Sequence, residues 1–147
     1  MIPQIAVAML ERDDRWLLQL RDDIDGIVFP GTWGLFGGHL DPGETPEQAV
    51  RRELLEEISW QAGPLRHWFA HTDPQRVLHV FLGPLTVPLQ QLRLLEGQDI
   101  TLASREEMES GRIWSRRLAE FRPLAPSLQR ALQVLLSQQR RDDLSPR

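Results

Sequence analysis

The sequence predicts one domain of the α+β or α/β class, in which a mixed β-sheet lies between helices. Short apolar runs come in pairs around polar turns, which is typical of antiparallel hairpins. One long amphipathic helix interrupts these pairs, and a second amphipathic pattern follows the last of them. A chain of 147 residues is long enough for one domain that buries about two-thirds of its unfolded surface.

Composition favours a soluble globular protein, since 41% of the residues are hydrophobic and 26% are charged. No apolar run approaches the roughly 20 residues of a membrane helix, so we expect no membrane span. The apolar start of the chain lacks a basic leader and a cleavage site, and it is interpreted as a first strand and not a secretion signal. The absence of cysteine excludes disulfides and zinc-thiolate sites and is compatible with the reducing cytoplasm, where we expect the protein to act.

The formal net charge of −4 argues against stable nucleic-acid binding, which requires a basic face. A small polyphosphate is still an acceptable ligand if divalent cations lie between the two negative partners. The sequence therefore favours a small-molecule phosphate substrate over a nucleic acid.

The alternation of apolar and polar residues, with glycine and proline at the breaks, assigns the elements along the chain. Strands are predicted at residues 5–10, 16–20, 33–36, 65–72, 76–82, 91–95 and 99–103. A short helix is predicted from a capping box at Ser104 to about Gly111, and a final helix follows Pro123 and Pro126. The domain is expected to span residues 1–141, with a disordered tail at 142–147.

The stretch from Gly37 to Trp60 joins a glycine-rich turn to a helix that carries several glutamates. Thr45 and Gln48 have the spacing of a capping box, and Pro46 falls at the first helical position, where no N–H donor is needed. This start fixes the helical register. It places an apolar stripe toward the core, formed by Val50, Leu54 and Ile58.

The same register is predicted to put Glu53, Glu56 and Glu57 on one face of the helix, at positions i, i+3 and i+4. Clustered carboxylates repel one another, and they suit Mg²⁺ or Mn²⁺, which prefer oxygen ligands. The alternative is an ordinary solvated acidic face.

This stretch resembles the box of the Nudix family, G-x5-E-x7-R-E-U-x-E-E-x-G-U, where U is a bulky apolar residue. The matching fixed positions are Gly38, Glu44, Arg52, Glu53, Glu56 and Glu57, with Leu54 and Trp60 at the U positions. The motif covers 23 of the 147 residues. Ser59 stands where the family has glycine, so either a strained left-handed serine or a different helix exit is expected.

The resemblance implies the family's α/β/α sandwich, with the box as a loop-helix-loop against the sheet. It implies a MutT-like, divalent-metal-dependent hydrolase of a phosphoanhydride in a nucleoside diphosphate linked to another group. Metal ligands would be Glu53, Glu56 and Glu57, with the Gly38 carbonyl as a further donor. Arg52 would orient carboxylates, and Glu44 would brace the loop by pairing with Arg52.

Glu96, in the sequence Glu-Gly-Gln, resembles a loop glutamate that in several family members completes the metal site or activates water. The proton acceptor would then be Glu53 or Glu96. The alternative for Glu96 is an exposed turn carboxylate.

Four residues outside the box are candidates for substrate binding. Arg21 could bridge phosphate oxygens or form a surface pair with a neighbouring aspartate. Phe29 and Trp33 could stack on a base, although core packing is the commoner role of such aromatic residues. His39 lies inside the glycine-rich turn and could face the substrate.

Three functions remain open at the level of sequence. The first is a pyrophosphohydrolase of nucleoside triphosphates, the second a hydrolase of nucleotide sugars or ADP-ribose-like compounds, and the third a non-catalytic ligand sensor. An edge strand or the apolar loop could also pair two copies as a homodimer.

Overall fold

The computed structural model describes residues 2–144. The strands are β1 (Gln4–Arg12), β2 (Arg15–Leu20), β3 (Trp33–Gly34), β4 (Phe36–His39), β5 (Arg66–Thr72), β6 (Val77–Pro84), β7 (Asp99–Ser104), β8 (Arg112–Ser115) and β9 (Glu120–Pro123). The helices are α1 (Pro46–Ile58), α2 (Arg105–Glu109) and α3 (Pro126–Leu144), and a 3₁₀ turn occupies Leu89–Gln91.

Seven of these strands form a mixed sheet, as the sequence predicts. β1 and β2 pair as a hairpin only near their turn and then diverge. The short strand β3 pairs with β2, and the short strand β4 pairs with β1. β6 runs parallel to β1 and antiparallel to β5, while β7 runs antiparallel along the whole of β2. The divergence of β1 and β2 brings the glycine-rich β4 into the middle of the sheet.

Each face of the sheet is covered by a helix, which confirms the α/β/α sandwich. On one face the predicted stripe of Val50, Leu54 and Ile58 is fully buried in one core cluster. On the other face Leu128 and Ala131 of α3 are fully buried in a second cluster. The glutamates of α1 therefore lie beside the first cluster, next to β4.

Helix α1 begins as predicted. The Thr45 hydroxyl accepts a hydrogen bond from the Gln48 N–H (3.1 Å), and the Gln48 side chain accepts one from the Thr45 N–H (2.9 Å). At its other end Ser59 adopts the left-handed conformation (φ 53°, ψ 40°). The Trp60 N–H then bonds to the Leu54 carbonyl, and both side chains are buried in the same cluster. The family's helix exit is thus kept with a strained serine.

We expect Ser59→Gly to raise the free energy of unfolding by about 1 kcal/mol, because glycine adopts a left-handed backbone without the steric cost of a Cβ. Urea unfolding at neutral pH measures this change. Ser59→Ala keeps the Cβ and is the matched control, expected to stay within about 0.5 kcal/mol of the wild type. A glycine variant no more stable than the alanine variant would show that the left-handed serine carries no strain.

Three features of the fold differ from the sequence prediction. The strand predicted at 91–95 is wrong: a 3₁₀ turn is followed by an extended segment whose Arg93 and Leu95 N–H groups bond to the Ile58 and Glu57 carbonyls. These carbonyls lie in the last turn of α1 and lack intrahelical donors. The β8–β9 hairpin was not predicted, since each strand has only four residues.

Helix α3 continues to Leu144, so the first three residues of the predicted tail are helical. Residues 145–147 lie outside the described part of the chain. Among the helices of residues 2–144, none combines the length and the hydropathy needed to cross a bilayer.

Candidate active site

Three carboxylates converge beside the glycine-rich strand β4. Glu53, Glu57 and Glu96 each offer one oxygen, and these oxygens all lie within 4.8 Å of one another. Glu53 and Glu57 are one helical turn apart on α1, and Glu96 comes from the loop before β7. Oxygen ligands held at about 2.1–2.5 Å from a common ion lie up to about 4–5 Å apart. The donor set therefore fits Mg²⁺ or Mn²⁺ in both spacing and chemistry.

Glu57 is the buried member of this group, with 2% of its surface exposed. One carboxylate oxygen accepts a hydrogen bond from the Gly37 N–H (3.1 Å), and the other accepts one from the Gln19 side-chain amide (3.2 Å). Burial is the largest cause that raises the pKa of Glu57 to about 10, followed by its hydrogen bond with Glu53 and the charge of Glu96. Binding of a divalent cation here would displace a proton.

The two glycines of β4 are required by close packing. A Cβ on Gly38 would lie 2.7 Å from a Glu53 carboxylate oxygen. Gly37 has a positive φ of 145°, and a Cβ there would overlap the Ala6 carbonyl oxygen. Any side chain at Gly38 would push Glu53 out of the carboxylate group. The role of the Gly38 carbonyl oxygen as a metal ligand remains a prediction.

Arg52 holds the rim of the group together. Its guanidinium donates two hydrogen bonds to Glu44 (2.8 and 2.9 Å), one to Glu53 (3.1 Å) and one to the His39 carbonyl (3.1 Å). The predicted pair of Arg52 with Glu44 is therefore present. The Glu44 hydrogen bond raises the pKa of Arg52, and the same contact lowers the pKa of Glu44. Arg52 thus ties the turn before α1 to a carboxylate of the group.

Glu56 lies outside the group of three carboxylates, and its predicted part as a metal ligand stays a prediction. Consecutive helical residues are rotated by about 100°, which turns Glu56 to solvent when Glu57 faces the sheet. The Glu56 side chain is 57% exposed and accepts hydrogen bonds from Arg52 at 3.1 and 3.3 Å. The third carboxylate of the group is instead Glu96.

The loop that carries Glu96 is anchored on both sides. The Leu95 N–H donates to the Glu57 carbonyl at the end of α1 (2.8 Å), and the Gln98 N–H donates to the Leu20 carbonyl at the end of β2 (2.9 Å). Between these anchors the Glu96 side chain is exposed. Glu96 is thus an exposed turn carboxylate that also lies near Glu53 and Glu57, and its metal-completing role stays a prediction.

Comparison with known proteins gives this arrangement a family. The model of the NUDIX domain matches residues 2–124 of the chain. The chain belongs to the Nudix family. The nucleoside triphosphatase NudI of Escherichia coli is 44% identical to it over 57 residues, which are 39% of this chain and 40% of that relative. The matched region thus spans only about two-fifths of the length of the curated relatives.

Solved structures support the same Nudix fold. The MutT NUDIX hydrolase of Burkholderia pseudomallei superposes with a TM-score of 0.69 at 22% identity, covering 90% of this chain and 97% of the other. The MutT protein of Methanosarcina mazei Go1 superposes with a TM-score of 0.70 at 17% identity, covering 94% and 95%. Likeness at such low identity establishes the fold alone.

The four predicted substrate residues of this Nudix chain have different surroundings. Trp33 is fully buried, and its indole N–H donates to the Ile113 carbonyl (2.9 Å), so no face of the ring can stack on a base. The substrate prediction for Trp33 is therefore wrong, and its core-packing alternative holds. Phe29 is 44% exposed and His39 is also exposed, so both side chains are accessible to a ligand.

Arg21 is partly exposed at the end of β2, and its Nε donates to the Val28 carbonyl (2.8 Å). The alternative was a surface pair of Arg21 with Asp22 or Asp23, and of these two Asp23 pairs with Arg122 instead (3.1 Å). The remaining N–H groups of Arg21 can still donate to phosphate.

Sequence reasoning missed Gln19, which is 3% exposed and touches two members of the Nudix site. Residues of β2 alternate between the sheet faces, and Leu17 points into the α1 cluster. Gln19 follows at the same parity. The sequence therefore carried one signal for Gln19: it places an amide where the alternation of β2 predicts an apolar core residue.

Proposed function

We propose that this Nudix domain hydrolyses a phosphoanhydride bond in a nucleoside diphosphate linked to another group, with a bound divalent cation. Nucleoside triphosphates are the favoured substrates, cleaved to a nucleoside monophosphate and pyrophosphate. The observation that carries the proposal is the convergence of Glu53, Glu57 and Glu96, whose carboxylate oxygens lie within 4.8 Å of one another.

The chemical difficulty of this reaction is electrostatic. Water must approach a phosphorus atom surrounded by negative oxygens, and a charged phosphate must leave. Divalent cations, when bound, neutralise phosphoryl oxygens and acidify a water molecule. Attack forms a new P–O bond as the P–O bond to the leaving phosphate breaks, and one proton of the water must be accepted.

The protein supplies the cation ligands and the proton acceptor. Glu53 and Glu57 would hold the cation from α1, and Arg52 would keep Glu53 in place through their 3.1 Å hydrogen bond. Glu96 would accept the proton, because its carboxylate is exposed and accepts no hydrogen bond from the described side chains, whereas Glu53 is engaged with Arg52. A general base needs a carboxylate oxygen that is free to bond the attacking water.

Glu56 would serve as an outer ligand. Its exposed carboxylate borders the group and can join a second cation only by leaving Arg52, to which it is bound at 3.1 Å. Without a second cation, the hydrogen bond to Arg52 balances the negative charge of Glu56.

The substrate class is inferred from a relative and from the residues around the carboxylates. The name of the E. coli relative, a nucleoside triphosphatase, favours nucleoside triphosphates. Arg21 would contact the phosphates, and the exposed Phe29 and His39 would lie near the nucleoside. Hydrolysis of a nucleotide sugar or an ADP-ribose-like compound uses the same carboxylates and would differ only in these outer contacts.

The test is a panel of nucleoside triphosphates, nucleotide sugars, ADP-ribose and dinucleoside polyphosphates, incubated with the full chain and Mg²⁺ or Mn²⁺. We expect cleavage of at least one nucleoside triphosphate, with pyrophosphate as product and complete loss of turnover in EDTA. Glu109→Gln, at an exposed position on α2, is the matched control and should retain full activity.

The possible results separate the alternatives. Turnover only of nucleotide sugars or ADP-ribose would replace the substrate class. Binding of a nucleotide without turnover of any panel member would overturn the proposal in favour of a ligand sensor.

A further inference from the structure

Gln19 connects two parts of the carboxylate group that the chain brings from distant positions. Its side-chain nitrogen donates to a Glu57 carboxylate oxygen (3.2 Å) and to the Glu96 main-chain carbonyl (3.0 Å). Both N–H bonds of the amide can thus be used, one toward α1 and one toward the loop. Gln19 itself is 3% exposed and belongs to β2, in the rigid sheet.

The loop is shaped to fit this side chain. Gly97 has a positive φ of 99°, and a Cβ there would lie 2.8 Å from the Gln19 Cγ and 2.9 Å from the Leu20 carbonyl oxygen. Only glycine lets the backbone after Glu96 pass this close to β2. The contact between Gln19 and the loop therefore depends on Gly97 in the loop as well as on Gln19 in the strand.

An amide at this place needs a reason beyond core packing. Leu17, at the same parity of β2, is apolar and buried, so an apolar side chain is compatible with this face of the sheet. A buried amide is costly unless its hydrogen bonds are made, and here they go to the site. No other described side chain donates to both Glu57 and the Glu96 residue.

We propose that Gln19 is a positioning residue, which fixes the proton acceptor Glu96 relative to the cation-binding carboxylate of Glu57. It touches neither the substrate nor the reacting atoms. The expected effect on catalysis rests on the proposed function. The hydrogen-bonded link between the loop and Glu57 does not depend on what the carboxylate group does.

The test compares Gln19→Met, which keeps the length of the side chain but loses both donors, with the wild type. We expect kcat to fall about 10- to 100-fold, as is usual when a residue behind a metal ligand is removed, with KM for the nucleotide within about threefold. We also expect a weaker response to Mn²⁺: in the absence of substrate, the metal-induced rise in Tm should reach half its maximum at about tenfold higher Mn²⁺.

Two further variants complete the design. Gln19→Asn keeps an amide but is too short to reach both acceptors, so it should behave like the methionine variant if the bridge matters. Gln138→Met is the matched control on α3: it loses the hydrogen bond from the Trp68 indole (2.9 Å), on the other side of the sheet. We expect wild-type kcat and Mn²⁺ response from this control.

The inference is overturned if folded Gln19→Met keeps kcat and its Mn²⁺ midpoint within twofold of the wild type. If the wild type turns over no substrate, the proposed function fails, and the Mn²⁺ midpoints alone decide on Gln19. A shifted midpoint then supports the inference, and equal midpoints overturn it. Absence of any metal response in the wild type overturns both.

Discussion

Glu57→Gln is expected to lower kcat for phosphoanhydride hydrolysis by about three orders of magnitude, equivalent to about 4 kcal/mol of transition-state stabilisation. Glutamine has the shape of glutamate and can still accept the hydrogen bond from the Gly37 N–H. It cannot offer a charged oxygen to a cation. Its amide nitrogen would face the Gln19 amide, so the hydrogen bond from Gln19 is lost as well. The loss of activity should therefore reflect the carboxylate group and its contacts and not a change of fold.

The measurement is single-turnover hydrolysis of the best panel substrate at saturating Mg²⁺. Glu109→Gln serves as the control for a glutamate-to-glutamine exchange outside the carboxylate group. Rates for Glu57→Gln within tenfold of the wild type would refute the assignment of Glu57 as a cation ligand.

The second large effect concerns stability and its dependence on pH. The pKa of Glu57 is raised to about 10 in the folded protein, chiefly by burial, whereas an unfolded glutamate titrates near its ordinary value of 4.5. The folded state therefore binds more protons between these two values, and stability falls as pH rises through this window. Between pH 7 and pH 9 we expect the metal-free protein to lose on the order of 1 kcal/mol per pH unit.

Divalent cations should reverse this loss, because they replace the proton on Glu57. The rise in Tm caused by 10 mM Mg²⁺, about 2–8 °C if the gain is 1–2 kcal/mol, should thus be larger at pH 9 than at pH 7. His79 does not account for this change, because burial lowers the pKa of its imidazole and moves its titration away from this window.

Glu57→Gln is the control for this experiment as well, since it removes the titrating group. In that variant the metal-free protein should be more stable than the wild type at pH 9, and Mg²⁺ should have little effect. Equal pH dependence of Tm in the variant and the wild type would show that Glu57 is not the group responsible.

Local chemistry explains which parts of the helix and its ends could be predicted from the sequence. The capping box at Thr45 and the turn at Ser59 depend on residues at most six positions apart, and both were confirmed. The apolar stripe ending at Ile58 follows from the same register. The family resemblance, which depends on the same stretch, was confirmed by the match over residues 2–124.

Features that depend on tertiary contacts were harder to predict. Glu56 turns to solvent because the burial of Glu57 against Gly37 sets the rotation of the helix, and a motif does not show that contact. Trp33 is covered by Ile113, which belongs to a hairpin with too few apolar residues to be recognised. Gln19 acquires its role only when the loop of Glu96 reaches the end of β2.

The parts of the site are widely separated along the chain. The hydrogen bond between Gln19 and Glu96 joins residues 77 positions apart, and that between Gln19 and Glu57 joins residues 38 positions apart. Contacts of such long range form only after much of the chain has lost its conformational freedom, so they belong to the slow part of folding. Helix α1, with its local caps, can form early without creating a site. Ligand affinity is consequently a property of the completed sheet, and bound cation or nucleotide would stabilise the whole domain against unfolding.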